Sequence, residues 1–328
     1  MCARLSASLA ILWLTLLSAG TADAQKLATE ELLSGVVAVK TFINPDGRTV
    51  DYLGREREGS GIVIDDQGLV VTIGYLMVEA HAAQVTTNDG RTVPANVVGY
   101  DQVSGFGLLQ AISPLKVRPM ALGKSADLRK GDPVIVASSG GGASAQPVRV
   151  IARREFAGSW EYLLDNAIFT APPHMAWSGA ALVNRDGKLV GVGSLVLGDA
   201  GGKGQPGNMF VPIDTLTPIL ADLLAQGRPS APAPPWLGLN TEEQDGHLVI
   251  TQVSPEGPGE RAGLERGDII IGVGGVAIKT LPDFYRKVWA RGYAGTIIPL
   301  DVAQDRGKRR VDVKSMNRLD HLRLKSTF

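Results

Sequence analysis

Between Val36 and Val211 the chain is a succession of short β-branched runs cut by turn residues, and no helical period is sustained between them. The runs include GVVAVKTFI, GIVIDDQGLVVT, AQVTTNDGRTVPANVVGYD, DPVIVASS and ALVNRDGKLVGVGSL. Strands at this spacing pair with near neighbours through tight turns, which restricts the segment to an antiparallel sandwich or barrel. Asp65-Asp66-Gln67-Gly68, Asn88-Asp89-Gly90 and Arg185-Asp186-Gly187 supply hairpin turns whose glycine takes positive φ at little steric cost. The 40 glycines in 328 residues, well above the usual share of about 7%, fit a turn-dense β protein.

After this segment the pattern changes. DTLTPILADLLAQG, from Asp214 to Gly227, has helical spacing with Asp214 as the N-cap and Gly227 as the stop. RPSAPAPPW then has no apolar period and is proline-rich, so it is expected to be an extended, semi-stiff linker. Strands recur at LGLN, HLVITQV, DIIIGVGG and TIIPLDVAQ, with one helix at LPDFYRKVWARG. In that helix Phe284 with Val288 and Tyr285 with Trp289 are i, i+4 pairs, and Pro282 sits near the start. The expected organisation is a leader at 1–24, a β domain at 25–228, a linker at 229–235, a smaller domain at 236–316 and a tail at 317–328.

The leader carries Arg4, an apolar run from Leu9 to Leu17 and a processing site at Ala22-Asp23-Ala24. Such a signal peptide implies cleavage before Gln25 and a periplasmic or secreted protein. The apolar run is too short for a spanning helix of about 20 residues, and no later stretch is long and apolar enough. Cys2 is the single cysteine and lies in the leader, which excludes a disulfide scaffold, a thiol enzyme and a cysteine-ligated metal from the processed chain. Lys plus Arg and Asp plus Glu balance at 33 each, so no nucleic-acid partner is implied. The basic cluster DRGKRR at Asp305 to Arg310 fits an exposed hairpin turn. GDAGGKGQPGN at Gly198 to Asn208 lacks phosphate-loop spacing. With no dinucleotide fingerprint or metal-ligand cluster either, neither a cofactor nor a metal is expected.

The second domain resembles a PDZ domain of the bacterial HtrA/Deg type over nearly its whole length. The matching residues are WLGL at Trp236 to Leu239, VSPEGPGERAGLERGDIIIGVGG at Val253 to Gly275, and the helix beginning at Pro282. The resemblance implies that backbone N–H groups of Leu237, Gly238 and Leu239 receive a peptide's C-terminal carboxylate while the peptide adds as a strand. The first domain is similar to the trypsin-like double β-barrel of the same family at GSGIVIDDQGLVVT, NDGRTVPANVVGYD, SGAALVNRDGKLVGV and MFVPID. The expected fold class is therefore mainly β: a trypsin-like double β-barrel followed by an α+β PDZ domain.

Proteases of this kind need a serine, a histidine, an aspartate and backbone donors for the oxyanion. Ser178, followed by Gly179, occupies the nucleophile position, but the family's histidine position is Tyr75 and its aspartate position is Gly105. A tyrosine titrating near pH 10 is a poor acceptor for the serine proton. In the oxyanion loop TAPPHMAWSGA, Ala176 stands where the family has glycine, and bulky Trp177 is expected to fill part of the cleft. Of the four histidines, His81 would need a displaced backbone and His174 a loop folded back to serve as base, while His247 and His321 are expected at the surface.

The resemblance implies an exported, catalytically impaired pseudoprotease that binds peptides or unfolded protein C-termini in envelope protein quality control. The alternative is a serine endopeptidase using Ser178 with a base other than the family's histidine. Expected partners are peptides or proteins with free apolar C-termini, with an active HtrA/Deg relative and a homo-oligomer as further candidates. The chain's own end, Ser326-Thr327-Phe328, has the S/T-x-Φ form that PDZ grooves accept, so it is either a mobile end or an internal ligand.

Overall fold

The computed structural model describes residues 30–304 and 307–324. The expected leader and Ser326-Thr327-Phe328 lie outside the described residues.

The first barrel consists of β1 (Val36–Ile43), β2 (Glu56–Val63), β3 (Leu69–Ile73), β4 (Ala80–Thr86), β5 (Thr92–Tyr100) and β6 (Phe106–Ala111), closed in the order β1-β2-β3-β6-β5-β4. The second consists of β7 (Pro133–Ala137), β8 (Ala145–Gly158), β9 (Tyr162–Ala171), β10 (Ala181–Val183), β11 (Leu189–Leu197) and β12 (Gly207–Pro212), closed as β10-β11-β12-β9-β8-β7. Closure removes the sheet edges that hairpins of this kind would otherwise expose.

The alternation of strand side chains explains how the barrels join. On β3, Val70 packs into the first barrel's interior with Val37, Val85 and Leu109, whereas Val71 and Ile73 face outward. Those outward residues meet Phe169, Leu189 and Val192 of the second barrel in one continuous core. β3 is thus buried on both faces, which is why all five residues of LVVTI are buried and its one polar side chain, Thr72, donates its hydroxyl to the Ser60 carbonyl.

The smaller domain is a sheet ordered β13-β14-β15-β17-β18 from β13 (Leu239–Gln244), β14 (His247–Val253), β15 (Ile269–Val273), β17 (Ile297–Gln304) and β18 (Gly307–Lys314). A short β16 (Val276–Ala277) pairs with β15. The helix Leu281–Trp289 lays Leu281, Phe284, Tyr285 and Val288 against this sheet, and the Thr280 hydroxyl caps it by accepting the Asp283 N–H at 3.3 Å.

Several expectations need correction. The helix expected from Asp214 spans only Leu220–Gln226, because the Asp214 carboxylate instead accepts N–H groups of Ser125 (3.0 Å) and Ala126 (2.7 Å). Asp214→Ala removes both charge-assisted bonds, with an expected loss of about 1–2 kcal/mol measured as a shifted urea midpoint. The basic cluster is not only a turn: Lys308, Arg309 and Arg310 belong to β18, paired with β17 on an edge where positive charge opposes further strand addition. His321, expected at the surface, is 7% exposed and its ring lies 4.8 Å from that of Trp236. It is carried there by a short helix, Arg318–His321, after which the Arg323 N–H donates to Glu79 at 2.7 Å on the first barrel. Among the described residues, no helix is long and apolar enough to cross a membrane.

Candidate functional site

Three elements bring the nominal triad positions together. Tyr75 lies in the 3-10 turn Gly74–Leu76 that follows β3, and Gly105 immediately precedes β6. β3 and β6 are paired with Ile73 opposite Phe106, so the two positions end up side by side. Ser178 comes from the second barrel, just before β10. Tyr75, Gly105, Trp177 and Ser178 line one cleft of about 700 Å³, which Arg48 and His321 also border.

The turn at Ser178 is fixed by its backbone. The Ser178 carbonyl accepts the Ser60 N–H of the first barrel at 2.8 Å, and Gly179 donates to the Gly193 carbonyl at 2.9 Å. Gly179 has φ of 71°, and a Cβ there would stand 2.0 Å from the Ser60 carbonyl oxygen. The Ser178 hydroxyl is buried and has no hydrogen-bond partner among the described residues. A general base must lie within about 3 Å of the proton that it takes.

Tyr75 cannot fill that role in this arrangement. Its hydroxyl donates to the Ser194 carbonyl at 2.9 Å, and burial pushes its phenol up to about 12 against the opposing influence of the neighbouring Ser178 and Trp177. At neutral pH it is a fixed, protonated donor. Gly105 has φ of 84° and carries no carboxylate, and its carbonyl accepts the Gly74 N–H at 2.6 Å. Of the oxyanion-loop positions, Ala176 is exposed and Trp177 is half-buried against the cleft.

The histidines do not supply a base either. His174 has its ring nitrogens 3.1 Å from Gln146 Oε1 and 3.2 Å from Ser138 Oγ. His81 and His247 are exposed. His321 is the one histidine that borders the cleft, but burial, with Arg48 and Arg261 nearby, depresses it to about 4 and leaves it a weak base. Sequence reasoning missed it because the chain reaches the cleft only after crossing the whole second domain. No group of His, Cys, Asp or Glu among the described residues could hold a metal ion.

The second site lies on the smaller domain. The Leu237 N–H lies 2.9 Å from Glu161 Oε2, and the Leu239 N–H donates to Glu161 Oε1 at 2.9 Å. The loop donors thus converge on a carboxylate, and it belongs to the β8–β9 hairpin of the second barrel. Burial pushes the Glu161 carboxyl up to about 7, against the pull of these N–H groups, Arg318 and the Gly238 N–H. Nothing in the sequence around Gly158-Ser159-Trp160-Glu161 marks this residue, whose role depends on how two domains meet.

Residues 59–192 match the trypsin-like peptidase domain family and residues 249–293 match the PDZ domain family. Among curated proteins, the chain is 28% identical to Protease Do-like 1, chloroplastic, of Arabidopsis thaliana, covering 88% of this chain and 70% of the relative. It is 27% identical to Serine protease PepD of Mycobacterium tuberculosis, over 87% of this chain and 65% of the relative. It is 29% identical to the probable periplasmic serine protease do/HhoA-like of Haemophilus influenzae, over 78% and 57%. The chain therefore spans between 57% and 70% of the length of these relatives. Among solved structures, the HtrA-type protease AlgW with decapeptide shares the fold with a TM-score of 0.53 at 20% identity, over 90% of this chain and 98% of that one. The same protease with tripeptide gives 0.52 at 19% identity, over 89% and 96%. With both domain families matched on the folds described, and Do-type and other serine protease relatives aligning across most of the chain, this protein belongs to the HtrA/Deg-type family with a PDZ domain.

Proposed function

We propose that this chain is an exported pseudoprotease whose working site is the PDZ groove, binding peptides or unfolded protein C-termini in envelope protein quality control. The observation that carries this reading is the Ser178 hydroxyl, buried without a partner beside a tyrosine whose own proton is committed to Ser194. Losing triad members removes several orders of magnitude of rate, and what remains comes from oxyanion donors and binding. The leader pattern supports export, and one relative is described as periplasmic. Peptide binding is supported by the loop of Leu237, Gly238 and Leu239, whose donors are arranged around a carboxylate. An active relative or a second copy of the chain are the partners that the family suggests.

The alternative, a serine endopeptidase with a different base, draws on the presence of Ser178 and His321 around one cleft. A fluorogenic-peptide assay separates the two readings. The pseudoprotease is expected to show the same background turnover as Ser178→Ala, and turnover that the substitution abolishes would overturn it. Peptides with a free apolar C-terminus are expected to bind about tenfold or more tightly than their amidated forms, because an amide cannot replace a charge-assisted carboxylate at backbone donors. Equal affinities would remove the loop from the site.

A further inference from the structure

We propose that the PDZ groove carries an internal ligand, the tip of the β8–β9 hairpin with the Glu161 side chain in the carboxylate loop, so that a free C-terminus binds only by expelling this hairpin. The inference rests on the peptide-binding reading above for its consequence, but not for the contact itself.

The hairpin tip occupies the groove in the manner of an added strand. Its carboxylate meets the N–H groups of Leu237 and Leu239. Two residues back, the Ser159 carbonyl accepts the N–H of Thr241 on β13 at 2.9 Å. That spacing matches the two-residue alternation by which a peptide pairs with a sheet edge. From the opposite wall, the Tyr285 hydroxyl of the helix Leu281–Trp289 donates to the Gly158 carbonyl at 2.7 Å and accepts the Glu161 N–H at 3.1 Å. The segment is therefore held between the strand and the helix that form the two sides of the groove.

The flanks of the hairpin strengthen the seat. Ala157 and Leu163 pack on the core of the smaller domain. Arg286 bonds the Glu155 carboxylate on one arm and Asp165 at 2.9 Å on the other. Trp160 turns away and stacks on Tyr162 with ring centroids 5.7 Å apart. Three residues connect the paired Gly158 and Tyr162, and the last of them, Glu161, has φ of 59°. That position of a three-residue hairpin normally takes glycine. A glutamate there is strained by the turn and held by the loop that it enters.

An internal ligand competes at an effective concentration set by its tether, which for short connections is in the millimolar range. An external peptide must displace it before reaching the same donors. Glu161→Gly suits the positive φ and removes the carboxylate while keeping the turn. Two measurements on the full chain test the inference: amide hydrogen exchange over residues 237–241, and polarization of a fluorescein-labelled decapeptide ending in a free phenylalanine carboxylate. In Glu161→Gly the amides are expected to exchange at least about tenfold faster and the peptide to bind at least about tenfold more tightly than in the unaltered chain. Tyr285→Phe, which keeps the ring in the core, should move both readouts the same way by less. Faster exchange in Glu161→Gly with no peptide bound by either chain would support the internal ligand and refute the peptide-binding reading. Unchanged exchange, or measurable affinity equal in the two chains, would overturn the inference and leave that reading standing.

Discussion

Gly179→Ala is expected to destabilise the double barrel by about 2–5 kcal/mol, a large effect for one methyl group. A non-glycine residue in the left-handed region costs about 1–2 kcal/mol. The added Cβ would also stand 2.0 Å from the Ser60 carbonyl oxygen, and over-packing a rigid site typically adds about 1–3 kcal/mol. The Ser60 carbonyl cannot retreat freely. It accepts the Thr72 hydroxyl at 2.7 Å, and its own N–H donates to the Ser178 carbonyl. Urea denaturation followed by tryptophan fluorescence gives the answer, and an unchanged midpoint would show that the turn can relax. The Ser178-Gly179 pair thereby has a structural role. The pair ties the second barrel to β2 of the first, a role the chain requires whether or not the hydroxyl ever attacks a carbonyl.

Much of this arrangement could be read from the chain itself, where local rules and periodicity operate. The β runs and hairpin turns report themselves through alternation and turn residues. Tyr75 and Gly105 follow and precede strands that pair, and this pairing brings the two positions to one cleft. Less legible were features decided by contact between distant segments. Asp214 has every local property of an N-cap, yet its carboxylate finds better donors 88 and 89 residues earlier. His321 looks like a tail histidine until the segment after β18 folds back across the cleft. The β8 and β9 strands are hard to read because ARREF interrupts β8 with charge and Asp165-Asn166 interrupts β9 with polar residues, and Glu161 at their junction has no sequence signature at all. His321 and Glu161 lie where the domains meet, and Asp214 meets a distant segment of its own domain, neither of which periodicity within one element can report.

Restoring the family's side chains, as Tyr75→His with Gly105→Asp, is expected to lower stability by about 2–5 kcal/mol without producing Ser178-dependent turnover. Removing the Tyr75 hydroxyl leaves the Ser194 carbonyl without its donor, a loss of about 1–3 kcal/mol for a buried acceptor. An aspartate at position 105 must adopt φ of 84°, and its Cβ would lie 3.2 Å from the Tyr162 hydroxyl oxygen. That hydroxyl already donates to the Ser104 carbonyl at 2.6 Å, so the incoming carboxylate gains no ready donor there. A buried carboxylate without donors would take up a proton rather than orient an imidazole. The oxyanion loop would still present Ala176 and Trp177, and oxyanion donors contribute about 3–4 kcal/mol of transition-state stabilisation. The decisive comparison is turnover of a fluorogenic peptide by the double variant with and without Ser178→Ala. Equal rates would show that the cleft has been rebuilt around its tyrosine and glycine, beyond repair by two side chains. A rate that depends on Ser178 would show that the oxyanion geometry survived, and would make the cleft that of an enzyme lacking only its base and the carboxylate that orients it.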